Sequence, residues 1–159
     1  MLINTSRFGE IDIPDEKFIE FAAGLPGFEQ CKRFALISTE ETAPFHWLQS
    51  VEIPDIALAV IDPFKIFPDY APRVSETMLS DIGSPPDEDI LLFTVAVIPG
   101  EVSNMTTNLV SPILINAKTN AARQVILEGS NYQIRHPIYE LVCNLLNGGA
   151  NNAGSDPQD

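Results

Sequence analysis

Residues 44–63 read "PFHWLQSVEIPDIALAVIDP", and this stretch decides the fold. In an extended strand successive side chains point to opposite faces, so Phe45, Trp47, Gln49 and Val51 share one face. His46, Leu48, Ser50 and Glu52 share the other. Both faces mix apolar and polar residues, unlike a strand with one wet side, where alternation separates them. The next run, Ile56 to Ile61, carries almost no polar residue on either face. Such a hairpin predicts strands enclosed on both sides. Its polar groups then either cap strand ends or form a recognition surface at the edge of a small barrel.

Outward from this hairpin, short β-like runs dominate. They cover Leu2 to Thr5, Glu10 to Ile13, Lys17 to Phe21 and Phe34 to Ile37 on one side. On the other they cover Ile90 to Ile98, Thr107 to Val110, Ile113 to Ala117 and Arg123 to Glu128. Between them lie "AAGLPG", "IPD", "PDYAP", "GEVSN" and "KTN", all turn chemistry. Strands this dense with short connections predict an all-β fold: a compact, mainly antiparallel β-barrel-like domain with one or two short helices. One helix is expected in "VSETMLSDI". A cleaner one follows Pro137, with Ile138, Leu141, Val142, Leu145 and Leu146 at the i, i+3, i+4, i+7, i+8 positions and an end at Asn147-Gly148. We expect a single domain over residues 1–147 and a disordered tail over 148–159, which is rich in Gly, Asn and Asp and has no apolar anchor.

The composition limits function. The 159 residues carry 22 acidic and 9 basic side chains, a net charge of −13. So acidic a chain is a poor ligand for nucleic acid, because it offers few cations to release phosphate counterions. Either it is steered toward a basic partner, or the negative charge serves only to keep a small protein in solution. The first ten residues have neither a basic segment nor an apolar one, and the longest apolar run is far too short to span a bilayer. We therefore expect a cytoplasmic protein with no membrane association. Cys31 and Cys143 could pair, but both have apolar neighbours that suit buried, reduced thiols.

Catalytic signatures are sparse. The two histidines, His46 and His136, share no helix or loop, and no Cys-x-x-Cys, His-Glu-x-x-His or Gly-x-Ser-x-Gly pattern occurs. No glycine-rich loop sits between a strand and a helix to cradle phosphate. The acidic run "PPDEDI" reads as a solvated turn. We expect a binding module, not an enzyme, with no cofactor and no metal.

Three segments carry a resemblance: "FGEIDIPDEKFIEFAAGLPGFE", "PFHWLQSVEIPDIALAVIDPFKIFPDY" and "TTNLVSPILINAKTNAARQVIL". Their most specific pieces are Gly24-Leu25-Pro26-Gly27-Phe28, Trp47-Leu48-Gln49-Ser50, and Asn108-Leu109 with Pro112, Ile115 and Asn116. Together, from about Arg7 to about Pro137, the chain resembles the flagellar assembly factor FliW family. The resemblance implies a β-barrel-like fold that binds flagellin before export. It also implies that the freed protein binds and antagonises CsrA, a basic RNA-binding regulator, relieving repression of flagellin synthesis. Two alternatives remain: a small β-barrel ligand- or flavin-binding protein, and a chaperone of flagellin alone.

The candidate partner-binding residues are Phe28, Trp47, Gln49, Ser50, Phe64, Phe67, Asp69, Tyr70, Asn108 and Asn116. Each has a structural alternative. Trp47 serves as an interface anchor or as core. Gln49 and Ser50 face a partner or satisfy nearby backbone groups. Phe28 follows a Pro26-Gly27 turn that either presents it or tucks it in. "PFKIFPDY" reads as an aromatic loop and an exposed apolar patch, while Asn108 and Asn116 suit turn caps.

Overall fold

The computed structural model describes residues 1–154. Its strands are β1 (Leu2–Thr5), β2 (Gly9–Asp12), β3 (Phe18–Phe21), β4 (Arg33–Ser38), β5 (Phe45–Ser50) and β6 (Ala57–Ile61). Then follow β7 (Ile90–Val97), β8 (Thr106–Thr107), β9 (Ile113–Asn116), β10 (Ala121–Gln124) and β11 (His136–Pro137). Three α-helices accompany them: α1 (Pro63–Ile66), α2 (Glu76–Ser80) and α3 (Tyr139–Gly154).

Seven strands close a barrel in the order β7-β6-β5-β4-β3-β10-β9, and β9 pairs back onto β7. Every neighbouring pair is antiparallel except β3 with β10, which run parallel with Glu20 opposite Ala121 and Phe21 opposite Ala122. The expected all-β barrel is present. The register also explains the opening hairpin. Leu48 lies opposite Leu36 on β4 and Leu58 on β6, so these three face the interior. There they join Ile19, Phe21, Phe34, Val60, Phe93, Ile113 and Ile115 in one cluster. Phe21 and Phe34 meet edge to face at 5.4 Å. A barrel of this size is filled by side chains and leaves no channel.

The outward faces are covered as well. The β1–β2 hairpin lays Ile3, Ile11 and Ile13 over Phe18, Ala35 and Ile37. Helix α3 packs Ile138, Leu141, Val142 and Leu145 on Trp47, Ala59, Ile61 and Ala96. Alanines at 59 and 96 leave room for the helix. Around α2, Val74, Met78, Leu79 and Ile82 cover Leu114 and Val125. Strand β5 therefore needs apolar residues on both faces: one faces the barrel interior and the other an added layer.

Four sequence expectations shift. The strand expected over 107–110 is only Thr106–Thr107, because Asn108 turns the chain and Leu109 goes inward, 1 % exposed. The strand expected over 123–128 begins at Ala121 and its regular ladder stops at Gln124. Beyond it, Val125 and Leu127 still donate to Pro112 O and Val110 O at 3.0 and 2.8 Å. Segment 63–66, read as loop, is the helix α1, capped by Asp62, whose side chain accepts from Phe64 N at 3.0 Å. Helix α3 passes the expected end at Asn147-Gly148 and reaches Gly154. Residues 155–159, the rest of the expected tail, lie outside those described.

Trp47 is core, 7 % exposed. Its Nε1–H donates to Thr42 Oγ1 at 3.2 Å, Phe8 meets it edge-on at 6.2 Å, and the Arg7 guanidinium lies 4.1 Å from the ring centroid. The tip of the N-terminal hairpin thus closes over the indole. Trp47→Ala is expected to lower stability by about 3–5 kcal/mol, the usual range for a buried Trp. Chemical denaturation checks this, and an unchanged midpoint would contradict the core role.

His46 faces the barrel interior, edge-on to Phe93 at 5.4 Å. Burial lowers its pKa below 6.5, Lys65 lowers it further, and Asp62 opposes both. Its Nδ1 shares a hydrogen bond with Ser38 Oγ at 2.5 Å. The unfolded chain binds this proton more readily than the folded one, so stability is present in full above about pH 6.5 and is lost as pH falls below it. His46→Gln is expected to lose less melting temperature than the wild type between about pH 7 and about pH 5.5. Parallel pH dependence in the two proteins would remove His46 as the cause.

Candidate partner-binding groove

The wall of the barrel ends unevenly where β7 changes partners. Ile90 to Phe93 pair with β9, whereas Ala96 and Val97 pair with β8. On its other side β7 loses β6 after the pair Ala96–Ala59. Leu58 and Val97 therefore sit past the last pair, at an open mouth. A groove of about 250 Å³ forms there, floored by Leu58, Val95 and Val97.

One bank of the groove is the Gly24–Phe28 loop. Phe28 N donates to Leu25 O at 2.8 Å across Pro26-Gly27, and Gly27 has φ +87°, the geometry that places proline first and glycine second in a tight turn. Gly24 is required for a different reason. It has φ +74°, and a Cβ on it would lie 2.5 Å from Glu29 O. The turn sends Leu25 into the core, 1 % exposed, and leaves Phe28 half-buried at the groove.

The opposite bank is the strap leading into β11, with Ile134 64 % exposed, and the floor residue Val97 is 60 % exposed. Thr106, Asn108 and Gln124 add polar edges. Arg135 is the one charged residue lining the groove. This is an apolar trough with a few hydrogen-bonding groups, the form that takes an amphipathic helix or an apolar segment. Among the described residues no group of three or more His, Cys, Asp or Glu could hold a metal ion, and no helix is long and apolar enough to cross a membrane.

Of the ten sequence-derived candidates, the groove brings together Phe28 and Asn108. Asn108 Oδ1 also accepts from Val110 N and Ser111 N at 3.0 and 3.1 Å, the expected turn cap. The others lie elsewhere. Gln49 and Ser50 are fully buried. Gln49 Nε2 donates to Ser50 O, Pro54 O and Ile56 O at 3.1–3.2 Å, and Ser50 Oγ accepts from Ile53 N at 2.9 Å. Both side chains therefore organise the β5–β6 connection, and neither reaches the surface. Asn116 is buried and ties two loops, donating to Ile82 O at 2.8 Å and accepting from Lys118 N at 2.9 Å.

The aromatic loop is less exposed than its sequence implies. Helix α1 turns it inward. Tyr70 is 3 % exposed and donates to Leu109 O at 2.7 Å, and burial raises the pKa of its phenol strongly. Phe67 stacks on His136 at 5.5 Å, and Tyr132 meets Tyr70 at 4.8 Å. Of the four candidates in this loop, Phe64, 42 % exposed, and Asp69 remain on the surface, while Phe67 is half-buried. Sequence reasoning missed Leu58, Val95, Val97, Ile134 and Arg135.

A family profile described as "FliW protein" matches residues 2–138. A flagellar assembly factor FliW from Caldanaerobacter subterraneus subsp. tengcongensis is 42 % identical over 145 residues, covering 91 % of this chain and 97 % of that protein. One from Thermoanaerobacter pseudethanolicus is 40 % identical with the same coverage. A crystal structure of the flagellar assembly factor FliW superposes with a TM-score of 0.82 at 32 % identity, covering 87 % of this chain and 97 % of that one. Profile, relatives and superposed fold agree over nearly the whole described chain, and the chain belongs to the FliW family.

Proposed function

We propose that this chain is a cytoplasmic flagellar assembly factor that holds an apolar helix of unassembled flagellin in the groove at the barrel mouth. The observation that carries this reading is the groove itself: apolar floor, polar edges, and Val97 and Ile134 left more than half exposed with no covering element. Flagellin termini are amphipathic helices that need their apolar stripe covered until export. Helix-in-groove recognition supplies that cover without any chemical step. When flagellin leaves, the freed protein binds CsrA. The net charge of −13 supports this half of the reading, because a repressor that grips RNA is basic, and an acidic binder reaches it fast and in a salt-sensitive way. The protein then acts by occupancy and not by catalysis.

Val97→Asp is expected to weaken flagellin binding about tenfold or more, about 1.4 kcal/mol, in a calorimetric titration. Its melting temperature should stay near wild type, since Val97 is 60 % exposed. Unchanged affinity would move flagellin off the groove. Titration with CsrA at low and moderate salt tests the other half: absence of binding at both reduces the protein to a chaperone of flagellin alone.

A further inference from the structure

Helix α3 is apolar along two lines. The inner line, Leu141, Val142 and Leu145 with Ile138 just before the helix, packs on the barrel. A second line, Tyr139, Cys143 and Leu146, follows i, i+4, i+7 spacing on another side. Tyr139 is 36 % exposed and Leu146 50 %. The single-turn helix Val102–Asn104 packs against α3 and adds Val102, 47 % exposed. A helix seated on one surface needs one apolar stripe. This one has a second, and its neighbours are acidic: Glu101 directly precedes Val102, and Glu140 directly follows Tyr139.

We propose that this second stripe, with Val102, is a docking surface for a basic amphipathic helix of a partner protein. The acidic rim selects the partner by charge, and the stripe supplies the apolar contact. A second copy of this chain is disfavoured, because two molecules of charge −13 would bring like rims together. The surface is distinct from the groove, whose one charged lining residue is Arg135. The proposal deepens the reading in which the acidic chain binds a basic partner, on which it rests, and does not depend on what occupies the groove.

Cys143 makes the test direct. It is partly exposed, whereas Cys31 is fully buried, so a thiol reagent reads Cys143 in the native chain. The probes are an amphipathic leucine–lysine helical peptide, a scrambled peptide of the same composition, and a leucine–glutamate counterpart. The amphipathic basic peptide is expected to bind by fluorescence anisotropy and to slow Cys143 modification several-fold, while the other two do neither. Leu146→Asp and Val102→Asp should each weaken that binding by about tenfold. Three results would overturn the proposal: no binding by the amphipathic basic peptide, equal binding by the scrambled peptide, or an unprotected Cys143. In those last two cases only general attraction to an acidic protein remains. Loss of flagellin binding in Val97→Asp is scored separately, so the two surfaces stand or fall independently.

Discussion

A seven-stranded closed sheet leaves no free edge along most of its circumference, and that closure constrains every other element. Once β9 returns to β7, every barrel strand has its inner face in a core of Phe21, Phe34, Leu48 and Ile113. The outer face must then be either polar or covered. This protein covers it three times, with the β1–β2 hairpin, with the segment around α2 and with α3. Backbone pairing and apolar burial stabilise the same geometry, and small side chains such as Ala35, Ala59 and Ala96 leave room for the hairpin and for α3 among larger apolar neighbours. The few places where closure is imperfect are the places with surface to offer. At Val97 the wall runs out, and there the groove appears.

Much of this was legible in the amino-acid order, for reasons specific to particular residues. Phe45 to Ile61 showed enclosure on both faces because neither face held enough polar residues to meet water. Pro26-Gly27 showed its turn because proline and glycine each fix a backbone angle. The amphipathic spacing of α3 was plain from Ile138 onward. What failed depended on tertiary neighbours. Nothing local distinguishes Gln49 facing a partner from Gln49 holding three carbonyls of its own hairpin. Tyr70 reads as surface until Leu109, 39 positions later, offers its carbonyl. The groove residues come from β6, β7, β8 and the turn after it, β10, the loop before β4 and the strap before β11, so no short window contains them.

Acidity and shape divide the work of recognition differently. On the function proposed here, charge acts at a distance and sets how often a basic partner arrives, whereas the apolar floor of the groove acts only in contact and sets how long an occupant stays. A small domain using both can treat two partners differently without any moving part. The polar residues that resembled a binding motif, Gln49, Ser50 and Asn116, serve this indirectly by holding the loops that frame the barrel ends.

The parallel pairing of β3 with β10 has a consequence for how the molecule comes into being. Glu20 and Phe21 wait for Ala121 and Ala122, about a hundred positions further along, before the sheet can close. Contacts so distant in sequence give a high contact order and slow folding, since the entropy of the long loop is lost before the pairing returns anything. Until β10 is available, one flank of β3 has no partner strand in the sheet. The last quarter of the described chain therefore completes the barrel as well as extending it: a nascent chain stopped before Ala121 lacks the strand that closes it, whatever the quality of the sequence before that point.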